Sequence, residues 1–164
     1  MEYVTGAGNS EGCIFCDHLA RDDDAAAHIL FRGESAFVLL NAFPYNTGHL
    51  MVAPLRHVAK LHDLDPAERS ALMELTSRSI DIVQETMSPD GFNVGMNLGN
   101  AAGAGVPGHL HVHVVPRWGG DTNFMSVVGE TKVLPEMLAD TDAKLRPRFA
   151  ALQPRDSQPK PQVS

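Results

Sequence analysis

The sequence predicts an α+β domain, an antiparallel sheet covered by one long helix with a further helix near the C-terminus. Three observations lead there. Apolar runs at 36–40 and 49–53 are separated by only a short turn-rich stretch, too short for a parallel crossover. A helix with a marked start and a marked stop begins after Asp65. Strand-like patterns then return at 92–98 and 109–115, and the helix offers an apolar stripe to cover one face of the sheet they build.

Taken in order, residues 1–12 are small and polar with three glycines and read as a flexible lead-in. Residues 17–30 carry Asp22-Asp23-Asp24 and Ala25-Ala26-Ala27, and read as a solvated turn or short helix with no binding role. The strand at 36–40 is stopped by a segment holding Pro44, Asn46 and Gly48, and the strand at 49–53 ends at Pro54. Asp65 is a good N-cap, Pro66 suits the first helical position and Glu68 completes a capping box. Leu72, Leu75, Ser79, Val83 and Met87 then recur at helical spacing until Ser88-Pro89-Asp90-Gly91 ends the helix. Residues 92–98 are a strand interrupted by Asn93, Gly95 and Asn97, and 99–108 form a loop with four glycines that brings backbone close to a ligand. The strand at 109–115 is closed by Pro116, a short strand is expected at 124–128, and a last helix starts near 134 and ends at Pro147. The domain is therefore expected over 13–150, with a disordered tail over 151–164.

At 164 residues and 43% hydrophobic, the chain suits one globular domain. A net charge of -7 argues against nucleic-acid binding, which needs a broad basic surface, but leaves room for a small phosphate ligand held by local N–H groups. No stretch resembles a membrane span or a secretory signal, and there are only two cysteines, Cys13 and Cys16, so a cytoplasmic protein is expected.

The chemistry concentrates at His109, His111 and His113. On a strand these alternate positions share one face, while Leu110, Val112 and Val114 point to the core. Imidazoles so placed can act as nucleophile, proton carrier or metal ligand, and spacing alone does not choose.

The string His109-Leu110-His111-Val112-His113-Val114-Val115-Pro116-Arg117 resembles the signature of the histidine-triad (HIT) family. Asn41 through Pro54 and Phe92 to Gly99 also resemble that family's strands, so the likeness covers about residues 13 to 128. It implies a small α+β fold that pairs as a homodimer, with His111 as the nucleophile on an α-phosphorus. It further implies that His109 and His113 support His111, that His49 is the outlying histidine, and that Asn41 contacts the nucleoside sugar. Phosphate oxygens then need donors: the backbone of the glycine loop at Gly103 and Gly105, and the Asn97 amide, which stands where relatives often have glutamine.

Cys13 and Cys16 form a CxxC pair that needs two more ligands to close a site. By similarity to zinc-bearing HIT proteins these are His57 and His109, giving a structural tetrahedral zinc, with His18 or His62 as substitutes for His57. The stretch Pro116 to Phe124, with Asn41 to Asn46, resembles the diadenosine tetraphosphate phosphorylase-like branch and, more distantly, the Fhit-like hydrolases. That implies cleavage of a dinucleoside polyphosphate with inorganic phosphate or water as acceptor. A phosphoramidate hydrolase and a non-enzymatic nucleotide-binding protein are the alternatives. Arg117 is a candidate for distal phosphates or for a carboxylate partner. Trp118 is a candidate for the substrate pocket or for the core, as are Phe37, Leu39 and Phe43 for a purine pocket or the core.

Overall fold

The computed structural model describes residues 12–121 and 136–152. In chain order these form α1 (Ile14–Ala20), β1 (Ile29–Arg32), β2 (Ala36–Leu40), β3 (Leu50–Pro54), α2 (Pro66–Met87), β4 (Gly91–Gly95), β5 (Val112–Arg117) and α3 (Leu138–Ala150). The five strands make one antiparallel sheet in the order β1-β2-β3-β5-β4. The fold is the expected α+β arrangement with one long helix and a C-terminal helix. Most of the lead-in at 1–12, the strand expected at 124–128, and most of the tail at 151–164 lie outside the described residues.

The long helix begins as its sequence demands. The Asp65 carboxylate accepts the Glu68 N–H at 2.8 Å, and the Glu68 carboxylate accepts the Asp65 N–H at 2.9 Å. These bonds satisfy two donors that no helical turn can reach. The helix stops at Ser88, which turns into the left-handed region at φ 50 just before Pro89. Its buried stripe is Leu72, Leu75, Thr76, Ser79, Ile82 and Val83. The Thr76 and Ser79 hydroxyls bond back to the Leu72 and Leu75 carbonyls, so two polar side chains sit in the core fully paired.

Both faces of the central strands are buried, the long helix covering one of them as expected. Val38, Leu40, Val52, Val112 and Val114 pack under α2 and α3. Phe37, Leu39, Met51 and Ala53 face the other way, where Phe15 of α1 covers them. Every residue of β2 and β3 is buried as a result. This is why their sequences are continuous apolar runs with no alternation.

Four boundaries differ from expectation. Residues 17–30 hold the expected short helix only at the end of α1, and Ile29 already begins β1, whose four residues are too few to stand out in the pattern. The ladder of β5 runs 112–117 and not 109–115, because Leu110 gives its N–H to the Val58 carbonyl, in the loop after β3. Pro116 does not close β5. It lies beyond the last β3 pair, Leu50 with Val114, and opposite Phe92 of β4, while its carbonyl accepts the Asn46 amide. Pro147 does not end α3 either, since fully buried Leu145 and Phe149 on each side of it hold the helix against the core. Asp65→Ala is expected to cost about 1 kcal/mol, the usual loss on deleting such a cap. Denaturant melting should show a lower midpoint at unchanged slope.

Candidate active site

His49 sits immediately before β3, at a turn that only glycine can make without strain. Gly48 has φ 77, and a Cβ there would come within 2.9 Å of the Met87 sulfur. From this corner the His49 ring meets three groups. Its Nδ1 accepts the Tyr45 backbone N–H at 3.0 Å and faces the Asn41 amide nitrogen at 3.4 Å. The orientation of that amide is independently set, because Asn41 Oδ1 accepts the Phe43 N–H. A backbone N–H can only donate, so the His49 proton lies on Nε2. His49 Nε2 then donates to His113 Nδ1 at 2.9 Å. The remaining His113 proton is on Nε2.

His111 is oriented from the opposite side. Its Nδ1 lies 2.8 Å from the His109 carbonyl oxygen, which can only accept. The proton is therefore on Nδ1, and Nε2 keeps its lone pair. His111 and His113 stand edge to face, with ring centroids 4.8 Å apart. The site thus holds an imidazole with a bare nitrogen beside one with an N–H. Burial, and then the charge of His111, push the His113 pKa down to about 4, so this second ring is neutral near pH 7.

His109 is fully buried and serves a different group. Its Nε2 donates to the Pro54 carbonyl at 2.8 Å, which turns the Nδ1 lone pair toward two thiols. Cys13 Sγ lies 3.4 Å and Cys16 Sγ 3.6 Å from that nitrogen, and Cys16 Sγ lies 3.4 Å from His57 Nδ1. The ligand atoms of Cys13, Cys16, His57 and His109 all fall within 4.8 Å of one another, a cluster able to hold a metal ion. Burial and the neighbouring Cys13 push the Cys16 thiol up to about 11, a rise that a bound cation reverses. His62, whose side chain is 77% exposed, pairs with Asp63, and His18 is likewise not part of the cluster.

A cavity of about 650 Å³ opens over His111 and His113. Asn41, Gly103 and Gly105 line it, as do Leu39 and Phe43. Phe37 does not. It is fully buried, edge-on to Phe15 with centroids 6.1 Å apart. Asn97 stands outside the lining and reaches the Gly103 carbonyl at 3.5 Å, bracing the glycine loop. Arg117 and Trp118 are also outside it. The Arg117 guanidinium makes two bonds to Asp121 and one to Asn93, and Asp121 further accepts the Trp118 N–H and the Asn46 amide. The sequence reading missed Tyr45, His18 and His28 as cavity residues. Tyr45 had a signal, since it lies four residues before His49 on the turn whose N–H groups face that ring.

A family model described as the HIT domain matches residues 23–120. The chain belongs to the HIT-domain family. Over 127 residues it is 46% identical to the AP-4-A phosphorylase of Mycobacterium tuberculosis, a match covering 77% of this chain and 65% of that protein. The match thus spans just under two thirds of this relative's length. Among solved structures, a Zn-bound histidine triad family protein from Mycobacterium smegmatis superposes with TM-score 0.69 at 28% identity, covering 86% of this chain and 95% of the other. A histidine triad nucleotide-binding protein from Sulfolobus tokodaii shares the fold at TM-score 0.66 and 23% identity, covering 84% and 89%.

The low His113 value sets a pH test. A base whose pKa falls from the unfolded value near 6.5 to about 4 stabilises the fold fully above pH 6.5, and that stability is lost as pH falls toward 4. In an NMR titration of the imidazole carbons, His113 should stay neutral from pH 8 down to about 5. A midpoint near 6.5 would contradict the half-buried ring with a depressed pKa.

Proposed function

We propose that this HIT-domain chain is a nucleotidyl-transferring enzyme that cleaves dinucleoside polyphosphates such as diadenosine tetraphosphate, with His111 as nucleophile. The observation that carries the reading is the His111 Nδ1 bond to the His109 carbonyl, which leaves Nε2 bare over the cavity. The name of the mycobacterial relative supports both the substrate class and phosphate as acceptor.

In this mechanism the His111 Nε2 lone pair forms a bond to the α-phosphorus while the anhydride P–O bond breaks. The electron pair leaves on the oxygen of the departing nucleotide, which accepts a hydrogen bond from His113 Nε2–H, so that His113 stays neutral. His49, held by the Tyr45 N–H, keeps His113 in the donating form. Inorganic phosphate or water then attacks the phosphorus, and the N–P bond breaks to restore His111. Asn41 holds the sugar, and the Gly103–Gly105 backbone faces the charged phosphate oxygens, with Asn97 steadying that loop.

The metal proposed for the cysteine–histidine cluster is zinc. A tetrahedral ion at about 2.3 Å from sulfur and 2.0 Å from nitrogen sets S···N edges of about 3.5 Å. The observed separations of 3.4, 3.4 and 3.6 Å fit. The Pro54 carbonyl behind His109 is the outer partner that zinc-binding imidazoles require. Four protein ligands close the site, so zinc supplies rigidity, and the chain's own residues carry the reaction. The Zn-bound structure from M. smegmatis supports this choice of ion. We further propose a homodimer, supported by β4, an edge strand of the sheet among the described residues, where Val94 is exposed.

With diadenosine tetraphosphate and inorganic phosphate, the products should be ADP and ATP, and without phosphate AMP and ATP should form if water substitutes. His111→Ala should lower turnover at least about a thousandfold at unchanged circular dichroism, and normal turnover by the purified variant would refute the assignment. Cys13→Ala should abolish one-to-one zinc binding by metal analysis and lower the melting temperature. Retention of a full equivalent of zinc would exclude the ligand set.

A further inference from the structure

Among the polar side chains of the cavity are two histidines that the chemistry above does not use. Its apolar walls, Ile14, Ala26, Ala27 and Leu39, suit the face of a purine, and among them stand His18 of α1 and His28 just before β1. His28 is one of two non-glycine residues with positive φ among the described residues, at 52. Such strain is retained where surrounding structure holds a side chain in place, and it collects at functional sites.

The His28 ring is held by a charge pair it does not need to join. Asp142 accepts Nε and Nη2 of Arg146 at 2.6 and 2.7 Å, so the carboxylate is already neutralised. Arg146 is itself tied to the Ile29 carbonyl. His28 Nδ1 lies 2.9 Å from the same carboxylate and must carry its proton there. A neutral His28 ring therefore presents Nε2 as an acceptor. In His18 the logic runs the other way. Its Nδ1 is buried with no hydrogen-bond partner among the described residues. A bare lone pair is the less costly atom to leave there than an orphaned N–H, so the proton is on Nε2 and the ring presents a donor.

Resting on the reading of the cavity as a nucleotide site, we propose that His28 and His18 read the 6-amino edge of an adenine. His28 Nε2 accepts from the exocyclic amine, His18 Nε2 donates to a ring nitrogen beside it, and the chain selects 6-aminopurine over 6-oxopurine nucleotides. A 6-oxo group in that position sets its own lone pairs against that of the half-buried His28 ring, whose acceptor then goes unpaired.

The test is direct binding of AMP, IMP and GMP by titration calorimetry, which needs no turnover. The wild-type protein should prefer AMP over IMP by about tenfold, the worth of one well-placed hydrogen bond. His28→Asn, which tolerates left-handed backbone, and His18→Leu, which keeps the helix, should each bring the ratio within about twofold. Equal binding of all three nucleotides by the wild type would overturn the inference while leaving the nucleotide site intact. A preference for AMP that survives both substitutions would overturn it as well. Failure of all three to bind would overturn the site itself.

Discussion

The arrangement depends on how the imidazole and backbone of His109 are used. The ring is fully buried, with one nitrogen bonded to the end of β3 at Pro54 and the other facing Cys13 just before α1 and Cys16 within it. Its carbonyl holds the His111 ring. One residue therefore joins the N-terminal helix, the sheet and the His111 imidazole. A shift in any of them is felt by the other two, because a buried polar group that loses a partner costs more than an exposed one.

That coupling explains why α1 matters to chemistry it does not perform. Phe15 stands edge-on to both His109 and His111, with centroids 5.2 Å from each. The short helix closes the second face of the sheet and at the same time walls the cavity with Ile14 and His18. A seven-residue helix has little intrinsic stability and no side-chain cap here. Its position is fixed by packing and by the cysteines at its start.

Much of this was legible in the sequence because it rests on local rules. The Asp65 capping box, the long helix, and the separation of Leu110, Val112 and Val114 from the histidines all follow from spacing within a few residues. What was hidden depends on distant partners. Nothing near Pro147 announces that Phe149 will be buried, and nothing near Arg117 announces that Asp121, Asn46 and Asn93 will surround it. β1 was lost because its four residues take their meaning from β2 beside them. His18 and His28 were lost because an acidic and alanine-rich segment looks solvated until α3 brings Asp142 and Arg146 against it.

The chain from Tyr45 through His49 to His113 has a direction. It starts at a backbone amide, which does not titrate in the range where proteins are folded, and both rings after it inherit their tautomers from that end. A relay anchored on a side-chain acid or base could run either way as its anchor gained or lost a proton. Anchored on the main chain, this one has a fixed polarity, with His49 always the donor and His113 the acceptor.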